Sequence, residues 1–365
     1  MKPNPFRIEQ FYAKYEFSTP YMLSSSDAES RSVAELLAFE PSAKLEQLWL
    51  GYTESSGAPY LRQTIAGIYQ AITPDDVLVF SSAEEGIFVF YNALIAATDH
   101  VIVESPCYES AFEIARCTGA SVSKWQRNFE TGWAHDLTAL ERLIQKNTKA
   151  IYINTPHNPT GTNMTLDTLN AVLNLAREHG IYVFCDEVYR ELEHDPHTRL
   201  PAACDLYENA ISLGSISKAY GLPGLRLGWY ASRNRHVLQA ARDYKDYTTI
   251  CSSAPSEFLA DLALRHRDIL LERNLGLVLH NLPLLKAFIT RHSSLFSWVK
   301  PTASPIAFPR LEMPNIEAFC EAAALEAGVL LLPGAVYDQP NHLRMGFGRR
   351  NMPEALAQLE AFLER

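Results

Sequence analysis

Hydrophobic positions along the chain follow two rhythms. From about residue 60 to 230, short continuous apolar runs alternate with stretches whose apolar residues recur every three or four positions. The runs at 77–80, 101–103, 150–153, 181–185, 211–213 and 227–230 read as buried strands. Helices are predicted between them. One opens at Pro59 with Leu61, Ile65, Ile68 and Ile72 on one face, and another follows Glu84 and Glu85 through Ala97. A third is capped by Thr165, turns Leu169, Val172, Leu173 and Ala176 inward, and stops at Gly180. Continuous strands between amphipathic helices predict an α/β fold with a mainly parallel sheet covered on both faces. After about residue 265 the texture becomes α+β. A helical run over 270–291 precedes short strands at 297–299, 306–308, 329–332 and 342–345, and a last helix starts near Pro353. The predicted organisation is an N-terminal arm with part of a small domain (1–44), a large domain (45–265) and a C-terminal small domain (266–365).

Composition narrows the function classes. With 47% hydrophobic residues over 365 positions and no low-complexity run, the chain has enough apolar material for two cores. Its net charge of −10 argues against nucleic acid or an anionic membrane as partner. No stretch reaches the ~18 consecutive apolar residues of a membrane span, and no signal-peptide pattern is seen. Six scattered cysteines without a C-x-x-C pair predict reduced thiols, no metal centre and a cytoplasmic location.

In doubly wound sheets ligands sit beyond the carboxyl ends of the strands, and the chemistry-bearing motifs lie there. Lys218, flanked by Ser215 and Ser217 and followed by Arg226, comes just after the 211–213 strand. Desolvation there lowers a lysine's pKa and makes it a nucleophile toward a carbonyl, while the hydroxyls and the guanidinium suit a phosphate. Asp186 ends the 181–185 strand, and a buried carboxylate calls for a cation such as a protonated pyridine nitrogen, with Tyr189 placed to donate to a phenolic oxygen. The turn Asn154-Thr155-Pro156-His157-Asn158-Pro159-Thr160-Gly161 presents the Asn158 amide. Ser82, Ala83 and Glu84 open a helix whose free N–H groups suit an anion, with the Glu84 carboxylate expected to point away.

Together these motifs resemble the class I/II aminotransferases of fold type I, over roughly residues 45 to 350. The resemblance implies a seven-stranded, mainly parallel sheet and pyridoxal 5'-phosphate (PLP) as cofactor. It implies Lys218 as the Schiff-base lysine and proton shuttle, and Asp186 as partner of the ring nitrogen. Asn158 and Tyr189 would hold the ring oxygen, and Tyr108 would stack on the ring. Ser82, Ala83, Glu84, Ser215, Ser217 and Arg226 would cup the phosphate. Tyr52 would reach the phosphate of a neighbouring subunit, implying a homodimer. Arg344 would grip the substrate α-carboxylate, so the implied partners are an amino acid and a 2-oxo acid. Arg349 and Arg350 read as surface charges.

The pattern also departs from the family. Ser82 stands where a glycine is usual, and the segment 21–26, ending Ser24-Ser25-Ser26, replaces the usual glycine-containing strand that lines the substrate pocket. The short arm, the 99–108 region and the Lys218 segment are most similar to a capreomycidine synthase-like subgroup, in which the same residues serve elimination and ring closure on an arginine-derived substrate. Transamination is the leading expectation, and elimination, cyclisation or oxidation of an amino acid is the alternative. A regulator that borrowed the fold is disfavoured by the acidic charge and by the retained Lys218. Asp27 and Glu54 read chiefly as surface charges, with the meeting of a basic substrate side chain as the alternative.

Overall fold

The computed structural model describes residues 2–365. Its centre is a seven-stranded sheet: β1 (Val77–Phe80), β2 (His100–Ser105), β3 (Ser121–Gln126), β4 (Thr148–Asn154), β5 (Tyr182–Asp186), β6 (Ala210–Ser215) and β7 (Gly228–Ala231). The spatial order is β1-β7-β6-β5-β4-β2-β3. Only β7 runs against its neighbours β1 and β6; the other pairings are parallel. Alternate residues of one strand feed opposite layers, as a two-residue period requires. Ile151, Val183 and Cys185 pack with Leu169, Val172 and Leu173, whereas Tyr152, Phe184 and Leu213 pack with Ile87, Phe90 and Leu238. Each such fully buried side chain contributes about 1.5–3 kcal/mol.

The capped helix is Leu166–His179: Thr165 Oγ1 accepts the Thr168 N–H, and Gly180 ends it at φ +65°. Two predicted helices are shorter than expected. The one opened by Pro59 stops at Ala66 with Gly67 as its cap, so Ile68 and Ile72 lie beyond it. The next, Ala83–Leu94, stops before Ala97 because Ile95 is extended and the Asp99 carboxylate takes the Ala96 N–H. Strand β3 escapes the apolar-run reading because it is an edge strand, Ser-Val-Ser-Lys-Trp-Gln, in which only Trp125 is buried.

A separate core gathers Ile8, Phe11 and Leu23 with residues from Val278 to Leu359. Its strands are short: Phe296–Ser297, Ile306–Ala307, Arg310–Leu311, Leu332–Pro333 and Leu343–Gly346. Of the apolar run 329–332, Val329 makes a parallel bridge to Tyr21 and only Leu332 enters a strand. The Leu343–Gly346 strand meets the N-terminal segment so closely that a Cβ on Gly346 would lie 1.9 Å from the Ser25 carbonyl. The Gly346 N–H donates to the Leu23 carbonyl at 2.8 Å. That approach places residues 23–27 over the carboxyl ends of the sheet. Among the described residues, no helix is long and apolar enough to cross a membrane.

Candidate active site

The strand ends supply the floor of the site. Asp186 closes β5 and is 7% exposed. Its Oδ2 accepts the Tyr152 hydroxyl at 2.9 Å and its Oδ1 the Val188 N–H at 3.2 Å. Burial pushes its pKa up to about 6, against the pull of those donors and of Lys218. It caps no helix, since the chain turns rather than coils after it. A buried carboxylate with two neutral donors and no adjacent fixed cation is suited to a cationic ring nitrogen.

Asn154 ends β4 and ties the floor together. Its side-chain amide donates to the Asp186 carbonyl at 2.8 Å, and its Oδ1 accepts the Asn158 N–H at 2.7 Å. The turn that follows contains cis peptides before Pro156 and Pro159, and Gly161 at φ +70°. A Cβ on Gly161 would lie 2.2 Å from the Ile306 carbonyl, so this turn requires glycine on both counts. Behind it, buried Glu104 accepts the Asn154 N–H at 2.8 Å and pairs with Arg127 at 2.9 Å and His135 at 2.8 Å. Burial alone would raise the Glu104 pKa, but His157, His135 and Arg127 hold it well below the usual carboxylate range.

Asn158 points its Oδ1 at two donors, Arg344 Nη1 and the Tyr337 hydroxyl, each at 3.2 Å. Arg344 is 2% exposed. It also donates to the Tyr337 hydroxyl, to the Tyr12 hydroxyl at 2.7 Å and to the Ser24 carbonyl at 2.9 Å. Lys218 follows β6, and its Nζ donates to Ser26 Oγ at 2.9 Å. Desolvation lowers the Lys218 pKa, opposed by Asp27. Tyr189 is buried, with Ser26 and Arg344 both facing it, and burial raises its pKa.

The anion-binding candidates surround the start of the Ala83–Leu94 helix. Ser82 Oγ accepts the Glu85 N–H at 3.1 Å, and Gly228 lies so close that a Cβ there would sit 2.6 Å from the Ala83 nitrogen. The Glu84 carboxylate turns to Ser110, whose hydroxyl donates at 3.1 Å, and burial pushes its pKa up to about 7. Ser215 Oγ accepts the Ser217 N–H at 3.1 Å. Arg226 is exposed at φ +48° and donates to the Pro223 carbonyl. Tyr108 precedes the Glu109–Cys117 helix; its ring is 5.2 Å from Phe6 and its hydroxyl donates to Glu9 at 3.2 Å. Tyr52 is 85% exposed and stands apart from these groups on the outer surface.

Two charges, Asp27 and Arg349, sit differently from the expectation. Asp27 is buried and paired with Arg349 at 2.9 Å, so Arg349 is no free surface charge. Glu54 is engaged by Arg62 at 3.4 Å. The Asp27 carboxylate is not left open for a substrate, because Arg349 holds it, whereas Glu54 stays at the surface, 58% exposed. The site also includes Ser26 of the 21–26 segment and three residues to which the sequence assigned no role: Tyr12, Tyr152 and Tyr337. Tyr152 was signalled by period alone, lying two residues before Asn154 on the same strand. Tyr12 and Tyr337 carry no local signal.

The chain matches the family model "Aminotransferase class I and II" over residues 22–359. It is 29% identical over 345 residues to capreomycidine synthase of Streptomyces vinaceus, covering 93% of this chain and 88% of that protein. A crystal structure of a PLP-dependent aminotransferase from Streptococcus suis superposes with a TM-score of 0.94 at 33% identity, covering 100% of this chain and 99% of that one. The PLP-dependent cyclase OrfR superposes with a TM-score of 0.92 at 28% identity, covering 100% and 98%.

Proposed function

The chain belongs to the class I and II aminotransferases, with PLP as its cofactor and the fold-type-I architecture, and from that premise we propose that it moves an α-amino group between an amino acid and a 2-oxo acid. The observation that carries this reading is the convergence of a desolvated amine (Lys218) with a buried carboxylate (Asp186) and a buried guanidinium (Arg344), the lysine near enough to act electrostatically with both. When bound, the cofactor supplies an electron-withdrawing ring that stabilises negative charge at the substrate Cα.

This chain's residues supply the rest. Lys218 would anchor the cofactor and, once released by the substrate amine, would carry the proton taken from the substrate Cα to the cofactor's C4′ carbon. Asp186 keeps the ring nitrogen protonated. Asn158 and Tyr189 hold the ring oxygen, and Tyr108 covers the ring face. Ser215, Ser217, Arg226 and the N–H groups of Ala83 and Glu84, with Ser82, hold the phosphate. Arg344 orients the substrate carboxylate through its fork, with Asn158 beside it.

The assembly in this reading is a homodimer. Exposed Trp49, Leu50 and Tyr52 form an apolar ridge with Tyr247 and Ile250, joined by the Thr53–Ser252 and Ser55–Asp246 hydrogen bonds. A second subunit would cover that ridge, and Tyr52 would reach across to its phosphate site. A small-domain core distinct from the three clusters around the sheet supports a large domain over 45–265 and a small one over 266–365 joined by the 1–44 arm.

A second reading has one specific support, the likeness to capreomycidine synthase and to the cyclase OrfR. The same Cα proton is removed, but a group on Cβ or Cγ leaves before reprotonation, giving elimination or ring closure. The deciding experiment adds single amino acids to PLP-loaded protein, follows the visible spectrum and identifies products by mass spectrometry. Accumulation of pyridoxamine phosphate with a matching oxo acid establishes transamination. Ammonia, loss of water or a cyclised product with the spectrum regenerated establishes the alternative. Lys218→Ala should abolish covalent attachment of the cofactor; retention of the lysine-bound absorbance band in that variant would overturn the assignment of Lys218.

A further inference from the structure

We propose that Ser26 is a positioning residue for the Lys218 amine, holding it in a fixed orientation whenever the lysine is not bonded to the cofactor. The inference rests on the PLP reading of the pocket and adds to it a group from the segment that departs from the family pattern.

The geometry is built. Lys218 Nζ donates to Ser26 Oγ at 2.9 Å across 192 positions of sequence. Ser26 is 9% exposed and also faces the Tyr189 hydroxyl. Its segment is clamped on both sides. The Ser24 carbonyl accepts from Arg344, and the Asp27 carboxylate is held by Arg349 at 2.9 and 3.1 Å. The backbone is clamped as well: Leu23 accepts from Gly346, and Glu29 donates to Gly348 at 2.8 Å. A Cβ on Gly348 would lie 2.5 Å from the Asp27 carbonyl, so the two segments are in van der Waals contact. The Ser26 hydroxyl is therefore not a mobile surface group that happens to lie near the lysine.

Arg349 keeps the nearby Asp27 carboxylate occupied, and this leaves Ser26 as the neutral acceptor for Lys218. A neutral acceptor matters because an ion pair would lock the lysine as ammonium, which has no lone pair to take a proton. A hydroxyl that accepts one N–H fixes rotation about Cε–Nζ and leaves the lone pair free. The titratable and charged groups facing Lys218 are Asp27 on the Ser26 segment, Glu9, Tyr12 and Glu16 from the N-terminal helix and its end, Arg344 from the small domain and Asp186 from β5. Ser26 adds no charge to this set; its removal deletes the hydrogen bond from Lys218 and the one shared with the Tyr189 hydroxyl.

The sign of the pH effect follows. An acceptor stabilises the ammonium more than the amine, so removing it lowers the lysine's pKa further. The test has one arm that needs no cofactor. Acetylation of Lys218 by acetic anhydride is followed across pH by peptide mass spectrometry, for wild type, Ser26→Ala, Ser26→Gly and Ser26→Thr. The midpoint should fall by about half a pH unit or more in the alanine and glycine variants and return to the wild-type value in the threonine variant. In the second arm, PLP-loaded Ser26→Ala should convert its amino acid roughly tenfold more slowly with KM changed less than about twofold, the sign of a misaligned amine rather than weakened substrate binding. Wild-type midpoints in both folded hydroxyl-less variants would overturn the proposal, and so would a threonine variant that behaves like alanine. If wild type takes up no PLP, the cofactor reading falls, while the acetylation midpoints still decide the role of Ser26.

Discussion

The floor and the roof of the pocket are built on opposite plans. On the floor, Asn154 and Asp186 end neighbouring parallel strands and are paired in register, and Lys218 follows the next strand in the sheet. Behind them Glu104 and Arg127 are buried, with the half-buried His135 beside them. On the roof, Tyr12, Ser24 and Asp27 meet Arg344 and Arg349 through side-chain bonds that span 320 to 332 positions of sequence. The floor is rigid because a sheet ladder carries it. The roof is assembled from individual pairs, each removable alone. Stability should therefore be concentrated under the floor and substrate handling in the roof.

The largest test of that contrast is Glu104→Gln. It leaves Arg127 as an uncompensated buried charge and should cost about 3–5 kcal/mol in denaturant unfolding. The same cluster makes the wild type acid-labile. The unfolded chain protonates histidine below about pH 6.5 and glutamate below about 4.3. Folded His157, by contrast, stays neutral down to about 3, chiefly through burial. Glu104 likewise stays ionised well below its usual range. The unfolded state therefore binds more protons, and stability should fall steadily as pH drops from about 6.5 toward 3. A urea midpoint that is flat across that window would contradict this account.

Next in size is Asp186→Asn, a change on the floor but outside the buried cluster. The fold and covalent PLP attachment should survive, while turnover drops by roughly 10²- to 10³-fold, the scale of losing one aimed electrostatic group. If stability falls instead of turnover, the floor is not divided as argued.

On the roof, Arg344→Lys should leave the unfolding midpoint nearly unchanged and raise the amino-acid KM roughly 10- to 100-fold, because lysine cannot reproduce the fork and each lost charged hydrogen bond is worth ~1.5–3 kcal/mol. Tyr12→Phe removes one of its supports and should raise KM by roughly threefold to tenfold, with turnover unaffected. Steady-state kinetics on both variants measures the effect; equal loss of stability would erase the distinction between the two regions.

The floor was legible along the chain because its groups lie within a few residues of strands that are apolar without interruption. Asp186 directly follows Tyr-Val-Phe-Cys, and the Asn154–Gly161 turn follows Ala-Ile-Tyr-Ile. The edge strand β3 was not, since a strand with one paired side and a solvated face need not be apolar. Helix ends were misplaced where Gly67 and Asp99 compete with continued coiling.

The α/β layering, the placement of the candidate groups at the strand ends and the family are readable along the chain, because these depend on local period and on motifs short enough to read. Tertiary structure alone decided that Asp27 belongs to Arg349, that Ser26 meets Lys218 and that Tyr12 and Tyr337 complete the shell of Arg344. No local pattern encodes those pairings. Those of Tyr12, Ser26 and Asp27 arise when the N-terminal segment is laid against Gly346 and Gly348, where the absence of a Cβ lets two backbones touch and brings together residues 192 to 332 positions apart.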